Sequence, residues 1–154
     1  MIFFVVWLIG IIIGIITTII NPSLRTLQSI ATNFLFYQLT ITITLSGLIC
    51  FIGHAFTDRA AKKNGWPKGN LFEKELGFSQ LGWAFAGILS IRYQGSFWIA
   101  IIIVFSTMMI GAAIIHIIDM VKNKNFKQGN PMITLVDLLI PATLIILSIL
   151  ARIW

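Results

Sequence analysis

The chain has 154 residues, of which 58% are hydrophobic and 10% charged, with a net charge of +6 and a mean hydropathy of +0.95. A soluble domain carries about one quarter charged residues, so this composition excludes one and predicts a single membrane-embedded domain over 1–154, an all-α bundle of five transmembrane helices. The positive charge does not point to nucleic acid, because the basic residues sit in short loops beside apolar stretches, where they set orientation in a bilayer. The lone Cys50 falls inside an apolar stretch, which leaves no disulfide and no cysteine-based metal motif.

The first apolar stretch, Ile2 to Ile20, is stopped by Asn21-Pro22. It lacks a basic leader and a small-residue cleavage site, so it is expected to be a retained helix and not a signal peptide. Gly10 and Gly14 give it a G-x-x-x-G face for close helix approach, more often used within a chain than between chains. The link from Asn21 to Asn33 is weakly amphipathic and is expected to lie along the interface.

The second stretch is expected from about Phe34 to Phe56, with the helix continuing through Asp58 to Lys63. Gly65 then suits a left-handed cap, and Pro67 a stop. Thr40, Thr42 and Thr44 alternate like a strand, but the stretch is too long and apolar for one. The third helix, Leu71 to Ile91, begins at Asn70 as N-cap with Glu73 at N3. Gly77, Gly82, Ala86 and Gly87 give it a small-residue face. The connector from Asn64 to Asn70, restricted by Gly65, Pro67 and Gly69, is expected to be tight and ordered, with Trp66 packed against the bundle. The fourth helix follows Gly95-Ser96 and runs to about Val121. The fifth opens at Asn130-Pro131, N-cap then N1 proline, and contains Pro141, which removes a backbone donor near Asp137.

Arg59, Lys62, Lys63, Lys68, Lys74, Lys122, Lys124 and Lys127 fall on one side of this arrangement, and only Arg25, Arg92 and Arg152 on the other. The excess places that side, and the N-terminus, in the cytoplasm of a multi-pass cell-membrane protein, with the C-terminus outside. Tyr93, Trp98 and Trp154 then fit an outer aromatic belt, and Trp66 the inner surface.

The chain has five acids and two histidines. Most lie one or two turns from a helix end on the cytoplasmic side: His54, Asp58, Glu75, His116, Asp119 and Asp137. Ionisable groups inside a membrane are costly and are usually paired or functional. Four helices thus offer imidazoles or carboxylates at similar depth, the kind of arrangement that holds metals in helix bundles. His54, Glu75, His116 and Asp137, with Asp119 beside them, are therefore candidate ligands of a divalent metal such as Zn, Fe or Mn. No Glu-x-x-His or His-Glu-x-x-His motif is present. A hydrogen-bonded network without metal fits the same residues.

Gly53-His54, Gly65-Trp66-Pro67-Lys68-Gly69 and Phe72-Glu73-Lys74-Glu75-Leu76-Gly77-Phe78 carry a resemblance. With the stretches Gly111 to His116 and Asp137 to Pro141, they resemble an uncharacterised family of small prokaryotic polytopic membrane proteins, marked by G-H, G-W-P-x-G and F-x-x-E-x-G-F. The resemblance implies no activity. It directs attention to His54, Glu75, His116 and Asp137.

Three functional classes fit: a metal- or ligand-binding membrane protein, whether or not an enzyme; an accessory or structural subunit of a larger membrane complex; and a proton- or ion-coupled carrier. The expected surroundings are the lipid bilayer and either further copies of the chain or a larger complex.

Overall fold

The computed structural model describes residues 2–67, 71–127 and 129–154, and all regular structure among them is helical. Helix α1 spans Ile2–Ile20 and α2 spans Leu27–Tyr37. A π-helical turn, Gln38–Ile43, joins α2 to α3 (Thr44–Ala55), so that Leu27–Ala55 forms one rod. The short α4 (Arg59–Asn64), α5 (Leu71–Leu89), α6 (Ser96–Asn123) and α7 (Gly129–Leu150) follow.

Four of these units are long and apolar enough to cross a membrane: α1, the rod, α6 and α7. The expected fifth, α5, has 19 residues but carries Glu73, Lys74 and Glu75 in its first five. Those charges, with Ser79 and Gln80 further on, make α5 less apolar than the other four.

The rod begins at Leu27 and not at Phe34, because Thr26 caps it. The Thr26 hydroxyl accepts from Ser29 N–H and the Ser29 hydroxyl accepts from Thr26 N–H, each at 3.1 Å. The stretch read as an interfacial link is thus its first turns. Its polar residues face other helices: Gln28 donates to the Ala151 carbonyl, and Asn33 donates to Gly14 O and to the hydroxyls of Thr17 and Thr18.

The π turn packs on α1, where Gln38 donates to Trp7 O and Thr42 to Val6 O. Gly10 permits this approach, since a Cβ there would sit 2.6 Å from the Gln38 amide nitrogen. The G-x-x-x-G face is therefore spent on packing within the chain.

Helices α3 and α5 pair along their length as one hairpin, and α6 and α7 as a second. Gly47 lets α3 and α5 meet backbone to backbone; a Cβ there would lie 2.6 Å from Ala84 N. Contact between the hairpins is concentrated at one end. There Trp83 meets Phe105 edge to face, and Trp98 donates to Ser90 O at 3.1 Å. Trp98 is buried in the core, against the expectation of a belt position, because its N–H finds that carbonyl. Tyr93 and Trp154 are exposed, as a belt requires. The apolar core runs through Leu35, Leu39, Phe105, Ile140 and Leu144.

Two local expectations fail for clear reasons. The helix does not run on from Phe56 to Lys63: Thr57 donates to Gly53 O at 2.9 Å and accepts from Arg59 N–H at 3.3 Å, which ends α3 at Ala55 and starts α4. Asn130 is no N-cap; it lies within the first turn of α7 and is buried. The proposed cap Asn70, with Lys68 and Gly69 of the connector, lies outside the described residues.

Candidate functional site: a cleft between two helical hairpins

Between the hairpins, with Trp83 at one end and Trp66 at the other, lies a cleft of about 1280 Å³. α3 contributes Ser46, Cys50 and His54 to its wall, α5 contributes Gln80 and Trp83, and α6 and α7 contribute His116 and Asp137. Arg59 and Lys63 of α4 stand beside it. Its rim is apolar and uncovered: Ile52, Ile103, Val104, Ile114 and Ile115 all line it and are at least half exposed.

Four polar atoms on this one cavity are buried and lack hydrogen-bond partners: Ser46 Oγ, His54 Nδ1, Gln80 Oε1 and Asp137 Oδ2. Buried polar groups are nearly always paired, so four orphans around one cavity are a strong local anomaly.

Asp137 is 3% exposed and His116 5%. The His116 Nε2 atom faces Asp137 Oδ2 across 3.9 Å, too far for a direct hydrogen bond. The surroundings fix which His116 nitrogen carries the proton. The Asn130 amide nitrogen donates to Asp119 Oδ2 (2.9 Å) and to Asn125 O (3.0 Å), both pure acceptors. Its oxygen must then face His116 Nδ1, with which it is hydrogen-bonded, so Nδ1 bears the hydrogen. In the neutral ring, Nε2 is left as a lone pair pointed at Asp137.

Asp119, expected beside the other candidates, is the hub of a hydrogen-bond network. Its Oδ2 also accepts from Trp66 Nε1 (2.9 Å) and Asn125 (2.7 Å), and its Oδ1 from Asn123 (2.7 Å). Trp66 stacks flat on His116. Gly65 takes the left-handed conformation expected of it, at φ 77°, and Trp66 N–H returns to Ala61 O, closing the end of α4. The result is a latch from the α4 connector to the ends of α6 and α7. A shallow surface basin over it, lined by Trp66, Asp119 and Lys127, holds none of the orphaned atoms.

The structure brings His54, His116 and Asp137 to one cleft but does not bring Glu75 there. Gly77, Gln80, Ala84 and Gly87 mark the inward face of α5. Glu73 shares that face and Glu75, two residues on, points away and is exposed. Glu73 takes its place beside His54, with Oε1 3.4 Å from Nδ1, near enough for an ion pair but without hydrogen-bond geometry. Among the described residues, no three His, Cys, Asp or Glu side chains gather as a metal would require. Sequence reasoning missed Glu73, Gln80, Ser46 and Asn130. The helical spacing 73–77–80–84 was the available signal for the first two.

Fold and site thus describe an all-α chain with four helices able to cross a membrane and a polar-lined cleft among them. The chain belongs to a family of unknown function (DUF6790), whose model matches residues 1–153. No curated protein matches it, and no solved structure does.

Proposed function

We propose that this chain is an integral membrane protein that binds an amphiphilic molecule, taken from the bilayer, in the cleft between its two hairpins. The observation that carries the reading is the set of four buried polar atoms without hydrogen bonds on a cavity whose rim is apolar and uncovered. An acyl or alkyl chain suits the rim, and a polar group suits the orphaned atoms within. A metal ion fits less well, since His116 and Asp137 supply two donors where a protein site for Zn, Fe or Mn uses three or four.

In this reading α5 crosses the bilayer with α3, because the two are paired along their length, and its charged first turns lie in the headgroup layer. The chain then crosses five times, with the N-terminus and the latch on the cytoplasmic side.

Gly53 and Gly111 both line the cleft, and a Cβ at either meets nothing within 4 Å. Large side chains there would fill the cleft without displacing its walls. Delipidated protein titrated with a lysophospholipid should bind one molecule per chain by native mass spectrometry. Gly53→Trp and Gly111→Trp should each abolish that binding while the fold survives. Equal binding by wild type and both variants would overturn the reading.

A further inference from the structure

We propose that the ligand of this cleft presents a protonated primary amine, which sits between His116 Nε2 and Asp137 Oδ2. The inference rests on the cleft being a ligand site and adds the chemistry of the ligand's head.

The two facing atoms are His116 Nε2 and Asp137 Oδ2. With a neutral imidazole facing an ionised carboxylate, both are acceptors: Asn130 holds the His116 hydrogen on Nδ1, and the facing carboxylate oxygen has no hydrogen-bond partner. Two buried acceptors 3.9 Å apart call for a group that donates to both. An atom about 2.8 Å from each subtends an angle of roughly 90° at that separation. One hydroxyl has one hydrogen and serves only one of the two. A primary ammonium has three, spaced near the tetrahedral angle, and serves both. It also offsets the charge of a carboxylate that is 3% exposed and whose ion-pair partner among the described residues is the His116 ring at 3.9 Å, which in its neutral form leaves that charge unmatched. The other three orphaned atoms of the cleft, Ser46 Oγ, His54 Nδ1 and Gln80 Oε1, lie on the opposite hairpin and suit further polar groups on the same molecule. The apolar rim accounts for the rest of the ligand, an alkyl or acyl chain.

His116 is held for this task by the latch. Trp66 covers the other face of the imidazole, and Asp119 fixes Asn130, which fixes the ring. The latch thus acts as a positioning device for the amine site.

Three probes of equal chain length test the proposal on wild-type protein: dodecylamine, dodecyltrimethylammonium and dodecanol, titrated by native mass spectrometry. Dodecylamine should bind one per chain, at least roughly tenfold tighter than either of the others, since only it is both cationic and able to donate. Asp137→Asn should remove that preference, and Gly53→Trp should block all binding. If the three probes bind alike and Gly53→Trp blocks them, the cleft is a ligand site but the amine assignment is wrong. Should Gly53→Trp leave dodecylamine binding intact, both readings fall. Tight one-to-one binding of Zn2+, lost in Asp137→Asn, together with no preference for dodecylamine, would replace the amine with a metal.

Discussion

Trp66 lies flat on His116, with ring centroids 4.8 Å apart and planes 11° from parallel, while its indole N–H donates to Asp119. One side chain from the connector between α4 and α5 therefore touches two groups on α6. The stack and the hydrogen bond separate by substitution. Trp66→Phe keeps a ring on His116 and loses the donor; Trp66→Ala loses both. Melting temperatures in detergent should fall in the order wild type, Trp66→Phe, Trp66→Ala, with the stack worth about 1 kcal/mol. Equal melting of Trp66→Ala and wild type would mean that the latch contributes nothing.

Glu73 and Glu75 should behave differently although they are two residues apart. Glu73 stands beside His54 on the face of α5 that meets α3, whereas Glu75 is exposed. Glu75→Gln should change stability by less than about 0.5 kcal/mol, as for an ordinary surface site. Glu73→Gln should lower it measurably in the same thermal assay. The reverse order would contradict the register described for α5.

Glycines offer a third contrast. Gly47→Ala drives a Cβ against the backbone of α5, at 2.6 Å from Ala84 N and 2.7 Å from Gln80 O, neither of which is a flexible side chain. It should cost about 1–3 kcal/mol. Gly53→Ala meets open space in a helix interior and should be neutral or stabilising by up to about 1 kcal/mol. Thermal unfolding of the two variants decides the matter, and similar losses in both would refute the close approach of α3 and α5.

Orientation is tested on a Cys50→Ser background. A cysteine at Lys122 should react with a membrane-impermeant maleimide from the cytoplasmic side only, and one at Gln94 from the outer side only. Labelling of position 94 from the cytoplasm would reverse the topology.

The helices were legible because runs of apolar residues end at Asn21-Pro22, at the polar stretch after Phe56 and shortly before Gly95-Ser96. The start of the rod was not, since Gln28, Asn33 and Gln38 read as interfacial polarity but are satisfied by α1 and α7. Their partners lie far away in sequence, where no local pattern reports them. Depth counting found His54, His116 and Asp137 because equal distance from a helix end places residues at equal height. It failed for Glu75 because height says nothing about which face of a helix a residue occupies. Asn130 was misread for a similar reason: Asn before Pro is a common N-cap, and only the half-buried carboxylate of Asp119 diverts it to His116.

The cleft itself is best tested by an experimental structure of the wild-type chain in lipid nanodiscs. The account predicts two separated hairpins, with density for one amphiphile running from the rim at Ile103 and Val104 to a head group touching His116 and Asp137. A structure in which α3 closes onto α6 and leaves no space beside Asp137 would contradict it.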